Sequence, residues 1–306
     1  MIPDLSTIEA YRRDDATQTG KWRQTLEGLP LRTWTTAPVP RAAGVDELML
    51  YRPAGVTAPA VFVNLHGGGF VLGGWEADDR YCRLLASESG CAVVNVDYVL
   101  APEHPFPAAT EQVYRIVAWL AANGSDVGLD GTRIAVGGHS AGGNLAAAVT
   151  LLARDRAEVA IRAQILDYAP LDLATDPADK PDPNPDQDPA WREFGVRVAR
   201  RYADWYLPDR ALARDPLVSP LLAGNLAGLP AALVITAELD TLAAEGAAYA
   251  RRLAAAGVAV DHISYAGAGH GFTHFGEDGP ALDAWRRMAA FLRRVLAAKA
   301  TGASKP

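Results

Sequence analysis

The fold class this sequence predicts is a doubly wound, mostly parallel α/β sheet, and three observations carry that expectation. Apolar runs of five to eight residues alternate with longer helical patterns along most of the 306 residues. Most of these runs are continuously apolar rather than alternating, as strands covered on both faces by helices must be. The composition, 49% apolar and 21% charged with 29 basic against 36 acidic residues, is that of a chain that folds. At roughly 100–200 residues per domain, the length suits two ordinary domains or one large α/β domain.

In chain order, two runs near the start, 31–36 and 47–52, alternate in polarity and suit an antiparallel edge. The runs 60–65 (AVFVNL), 92–98 (AVVNVDY), 133–136 (RIAV), 161–167 (IRAQILD), 231–236 (AALVIT) and 258–264 (VAVDHIS) read as buried strands. Helical patterns fall at 79–89, 108–123, 143–154, 243–256 and 281–298, which completes the β/α alternation of a doubly wound sheet. One segment breaks it. About sixty residues separate the strand ending near Tyr168 from the next at Ala231. Its stretch 176–189 (DPADKPDPNPDQDP) holds five prolines and five aspartates, which rules out helix and central strand. The helical pattern 190–207 that follows carries Trp191, Phe194, Trp205 and Tyr206, and is expected to cap the strand ends. The N-terminal forty residues, with Trp22 and Trp34, are expected to join this cap, and the tail 301–306 to fray.

The net charge of −7 argues against a nucleic-acid partner, which would call for clustered positive charge. The opening MIPDLSTIEAYRRDD has no apolar core of a signal peptide, and no run of 18 apolar residues could span a membrane. Two cysteines, Cys82 and Cys91, make neither a disulfide framework nor a C-x-x-C metal pair. These readings predict a cytoplasmic globular protein.

Four segments carry chemistry. Gly138-His139-Ser140-Ala141-Gly142 is a G-x-S-x-G pentapeptide placed between the strand RIAV and the helical pattern GGNLAAAVTLLAR. A sharp strand-to-helix turn lifts the serine Oγ above the sheet at the positive end of a helix, so Ser140 is the expected nucleophile. His66-Gly67-Gly68-Gly69-Phe70 closes the strand AVFVNL. Its chance expectation from composition is of order 0.005, which makes it the more specific signal. Three glycines there cost backbone entropy and pack nothing, unless main-chain N–H groups must face a ligand. An oxyanion needs such donors, and Gly67, Gly68 and Gly69 with the amide of Ala141 are the expected set. Sequence leaves open which of the three glycines donate. No phosphate-cradling G-x-G-x-x-G or G-x-x-x-x-G-K is present.

A serine nucleophile needs a base, and the base an orienting carboxylate. Of six histidines, His270 lies in a glycine-rich loop, Gly267-Ala268-Gly269-His270-Gly271-Phe272, between the last strand and the last helix. His274 four residues on makes an H-x-x-x-H pair, but no further ligands accompany it, so no metal is expected. Asp240 follows the penultimate strand, with Glu238 and Glu245 as rivals. The chain order Ser140, Asp240, His270 is that of α/β-hydrolases.

Together HGGGF at 66–70, DYVLAPEHPFPA at 97–108, GHSAGGNLAA at 138–147, ELD at 238–240 and HGF at 270–272 resemble the hormone-sensitive-lipase-like group of esterases, over about residues 45–300. The resemblance implies an α/β-hydrolase fold, with an eight-stranded, mostly parallel sheet flanked by helices and a helical cap. It implies a catalytic core at 46–173 and 215–300, cap segments at 1–45 and 174–214, and a tail at 301–306. The implied activity is hydrolysis of short-to-medium acyl carboxylic esters through an acyl-enzyme, without cofactor or metal. Position by position, Ser140 falls on the family's nucleophile, Asp240 on its acid, His270 on its base, and Gly67, Gly68, Gly69 and Ala141 on its oxyanion loops. The expected partner is a small-molecule ester, with neither nucleic acid nor membrane, and a homodimer is left open. Three positions depart from the family's habit: His139 where an acidic residue is common, Val99 where Arg is, and Thr241 where Pro is. GHSAG also resembles formamidases of kynurenine metabolism, which keeps an amide substrate, like an acyltransferase or a non-catalytic receptor on this fold, as an alternative.

Overall fold

The computed structural model describes residues 7–12, 48–184 and 186–297. The strands are β1 (Leu48–Tyr51), β2 (Ala60–Leu65), β3 (Ala92–Val96), β4 (Asp130–His139), β5 (Ile161–Asp167), β6 (Ala231–Ala237) and β7 (Val260–Tyr265). They form one seven-stranded sheet in the order β1-β3-β2-β4-β5-β6-β7. β1 runs antiparallel to β3, with Leu48 opposite Val96. Every other neighbouring pair is parallel. The helices are α1 (Asp79–Ser89), α2 (Ala108–Asn123), α3 (Ala141–Arg156), α4 (Pro189–Tyr206), α5 (Ala243–Ala255), the single turn α6 (Phe272–Phe275) and α7 (Asp278–Val295).

The continuously apolar strands are buried on both faces because their alternate side chains feed two separate cores. Val61, Val63 and Leu65 of β2 point with Val94 and Val136 into a core completed by Val113 and Ile116 of α2 and Leu145 of α3. Phe62 of β2, Val93 of β3 and Ile165 of β5 point the other way, onto Leu85 of α1 and Trp285 and Met288 of α7. β7 has a neighbour on one side only, and its residues remain partly or largely exposed.

The expectation of eight strands is corrected to seven among the described residues. The strand expected at 31–36 lies outside them, as do the tail and most of the N-terminal forty residues. The last helix begins at Asp278 rather than at residue 281, because Pro280 sits in its first turn, where the missing N–H has no intrahelical partner to lose. The proline- and aspartate-rich stretch leads directly into α4: the Asp188 carboxylate accepts the Ala190 N–H, and Pro189 occupies the first turn. α4 stands outside the sheet, between β5 and β6. No described helix is long and apolar enough to cross a membrane.

Candidate active site

Four of the chemistry-bearing segments meet above the C-terminal ends of the parallel strands. Ser140 sits between β4 and α3 at φ 50° and ψ −121°, a conformation that non-glycine residues rarely take. The turn is sharp enough that a Cβ on Gly138 or Gly142 would lie 2.2 or 2.0 Å from the Leu65 carbonyl oxygen, so only glycine fits on either side of the serine. The Ser140 N–H donates to the Asp167 carbonyl at 2.9 Å, which ties the turn to β5.

Ser140 Oγ lies 3.0 Å from His270 Nε2, and His270 Nδ1 lies 2.7 Å from Asp240 Oδ2. Asp240 is almost fully buried, and its Oδ1 accepts the Leu242 N–H at 3.0 Å. Burial alone would lower the His270 pKa, but the charge and hydrogen bond of Asp240 outweigh it and leave it above the ordinary value. The rival carboxylates are engaged elsewhere. Glu238 accepts the Gly267 N–H at 2.7 Å and so pins the loop that carries His270. Glu245 accepts the amides of Leu171 and Asp172 and pairs with Lys180 at 2.6 Å, joining α5 to the proline-rich segment.

The glycine loop is shaped by close approach. Gly69 lies at φ +60°, and a Cβ there would stand 2.2 Å from the Tyr202 ring of α4. The next residue, Phe70, stacks on Tyr206 at 3.9 Å, so the aromatic face of α4 does pack onto the glycine loop. Trp205 instead lies against Tyr11, and Trp191 is 57% exposed. Of the expected oxyanion donors, Gly67 is already engaged: its N–H donates to His139 Nε2 at 2.9 Å. The amides of Gly68, Gly69 and Ala141 have no acceptor among the described residues. A cavity of about 760 Å³ opens over Ser140 and His270, walled by Phe194, Tyr202, Trp191 and Tyr11.

Sequence reasoning singled out His139 as a packing and hydrogen-bonding residue but missed Asp78 and the buried polar cluster the two form with His274 beneath the site. Asp78, fully buried, accepts from Asn64 Nδ2 at 2.7 Å. Around it stand His139, with Nδ1 3.6 Å from Asp78 Oδ2, and His274, with Nε2 3.3 Å from Oδ1. Burial would raise the Asp78 pKa, yet the two imidazoles hold it below the usual carboxylate range. Burial pushes His139 down to about 3, so its ring is neutral. These three residues present ligand atoms within 4.8 Å of one another, the spacing of a metal centre. The donor chemistry does not fit one: a neutral ring whose Nε2 accepts Gly67 N–H must carry its proton on Nδ1, the atom that would have to bind the cation. The H-x-x-x-H pair does not form either, since Ser140 and Asp240 take both nitrogens of His270 while His274 stacks on His139 at 3.7 Å.

Residues 62–274 match the family described as alpha/beta hydrolase fold. The chain is 40% identical over 251 residues to the carboxylic ester hydrolase LipN of Mycobacterium tuberculosis, covering 78% of this chain and 64% of that relative. It is 36% identical over 218 residues to an arylesterase of Saccharolobus solfataricus, covering 69% and 67%. Among solved structures, it superposes on the esterase of Pyrobaculum calidifontis with a TM-score of 0.84 at 33% identity, over 96% of this chain and 95% of that one. The carboxylesterase EstE1 from a metagenomic library gives a TM-score of 0.83 at 33% identity, over 96% and 99%.

Proposed function

The chain belongs to the α/β-hydrolase family, in its hormone-sensitive-lipase-like esterase group, and from that premise we propose that it is a serine carboxylesterase with Ser140, His270 and Asp240 as its catalytic triad. The observation that carries the reading is the continuous hydrogen-bonded chain from Ser140 Oγ through the His270 ring to the buried Asp240 carboxylate, opening on a cavity.

In this reading Ser140 Oγ attacks the ester carbonyl carbon as its proton passes to His270 Nε2. The carbonyl oxygen becomes an oxyanion held by the amides of Gly68, Gly69 and Ala141, the three left open for it. His270 then gives the proton to the departing alcohol oxygen, leaving an acyl-Ser140. Water, deprotonated by the same nitrogen, then attacks the acyl carbon; the bond to Ser140 Oγ breaks, His270 returns the proton to that oxygen, and the acid leaves. Asp240 keeps the proton of neutral His270 on Nδ1 and stabilises the imidazolium formed in each half-reaction. A non-catalytic receptor has no use for a base aligned on a serine.

The reading takes residues 174–214, with 1–45, as the cap, 46–173 and 215–300 as the catalytic core, and 301–306 as a tail. The 2.6 Å hydrogen bond between the hydroxyls of Tyr11 and Tyr202 supports a cap built from both segments. It also keeps the enzyme in the cytoplasm, where the free, buried thiols Cys82 and Cys91 would stay reduced. The test is Ser140→Ala together with labelling by an organophosphonate. The variant should fold and lose p-nitrophenyl butyrate hydrolysis, and the wild type should be labelled at Ser140. Near-wild-type turnover in the folded variant, or labelling at another residue, overturns the reading.

A further inference from the structure

His139 lies inside the nucleophile turn, and its surroundings assign it work. It ends β4, so one peptide bond links it to Ser140. Its ring reaches across to the neighbouring glycine loop. A Cβ on Gly67 would meet His139 Cδ2 at 2.7 Å and Nε2 at 2.9 Å, so loop and ring edge touch with no room between them. The ring cannot rotate away: one face stacks on His274, and Tyr168 meets it edge-on at 6.0 Å.

We propose that His139 is a positioning residue for the oxyanion loop: its unprotonated Nε2 accepts the Gly67 N–H, and Asp78 holds the ring in the tautomer that can accept. The ring has one proton and two nitrogens. Asp78 Oδ2 stands 3.6 Å from Nδ1, too far for a hydrogen bond, and its negative charge in this buried place favours the proton on that nitrogen, so Nε2 keeps its lone pair for Gly67. Were the tautomer reversed, two N–H groups would face each other at 2.9 Å and the loop would be pushed off the nucleophile turn. Ser140 and the donors Gly68 and Gly69 are thereby held in one register, on opposite sides of the place where an ester carbonyl must sit. The inference rests on the esterase reading, and it concerns a group that never touches substrate.

Two substitutions of equal polarity separate this role from a merely structural one. His139→Gln carries an amide oxygen out to about the place of Nε2 and abandons Asp78. His139→Asn keeps an amide near the place of Nδ1, beside Asp78, and cannot reach Gly67. With p-nitrophenyl butyrate, His139→Asn should lower kcat about 10- to 100-fold, less than the roughly 10²–10³ for losing an oxyanion donor outright. KM should change by less than about threefold, since what is weakened through the displaced loop is the contact of Gly68 and Gly69 with the oxyanion, which is made in the transition state. His139→Gln should recover most of kcat. The inhibition constant of a trifluoromethyl ketone, which forms an oxyanion on the serine, should rise in step with the fall in kcat/KM. The reverse order, with Asn active and Gln impaired, or equal losses in both, overturns the proposal. A second measurement needs no variant: nitrogen NMR of the histidine-labelled wild type should show His139 protonated on Nδ1 and bare on Nε2, and the opposite tautomer overturns it as well. Failure of the esterase reading is told apart by the wild type alone, through a missing phosphonate adduct on Ser140.

Discussion

Replacing Asp240 by asparagine gives a test whose size can be worked from the hydrogen bonds. Asp240 Oδ1 accepts the Leu242 N–H and Oδ2 faces His270 Nδ1. An asparagine that keeps its oxygen on Leu242 must turn its NH₂ toward His270. That donor pushes the imidazole proton to Nε2, where it faces Ser140 and blocks deprotonation of the hydroxyl. The amide can instead flip, which restores the tautomer but leaves the Leu242 amide facing NH₂, at a cost of about 1–3 kcal/mol. A loss of roughly 10⁴ in kcat, as triads lacking this carboxylate show, is about 5.4 kcal/mol. The remainder, about 2–4 kcal/mol, is the missing negative charge beside the imidazolium. The assay is kcat on p-nitrophenyl butyrate for Asp240→Asn beside Glu238→Gln and Glu245→Gln, each checked for folding by circular dichroism. Glu238→Gln keeps an acceptor for the Gly267 N–H and should stay within about threefold of wild type. A folded Asp240→Asn enzyme within tenfold of wild type, or a glutamine variant that falls further, would refute the assignment.

The free enzyme should show an acid limb in kcat/KM with its midpoint above the ordinary histidine value of about 6.5, because the base works unprotonated and Asp240 raises its pKa; activity is then lost as pH falls through that value. A limb at or below the ordinary value would contradict the Asp240–His270 coupling. The acyl preference should fall at about two to six carbons: each buried methylene offers about 0.8 kcal/mol, but Phe194 and Tyr202 wall the cavity, and longer chains must displace packed rings. Values of kcat/KM that keep rising from p-nitrophenyl decanoate to palmitate would show an open groove instead. Overnight chelation should leave activity unchanged, since His270 has no free nitrogen and the lone pair of His139 is spent on Gly67. A loss restored by zinc would overturn both the metal-free mechanism and the tautomer argument.

What the sequence determined by itself is whatever local chain chemistry can express. Unbroken apolar runs told of strands buried on both faces, and 60–65 and 161–167 form strands over those same residues. The serine between glycines, the glycine triplet after a strand, and His270 in its loop announced themselves because each needs a backbone that few sequences tolerate. The structure brings Ser140, Asp240 and His270 together, although 100 residues separate the first two along the chain. Only the tertiary structure showed which of the three candidate carboxylates meets His270, because any of the three could serve chemically and what separates them is the distant group each one meets. It alone showed that Gly67 is committed to His139, leaving Gly68 and Gly69 as the loop's open donors. Nothing local distinguishes Asp78 in the run Trp75-Glu76-Ala77-Asp78-Asp79; it becomes exceptional only when folding buries it between two imidazoles. The physical reason is the same in each case: a residue's type and its backbone preference travel with the chain, whereas burial, tautomer and hydrogen-bond partner are set by segments that meet only when the sheet closes.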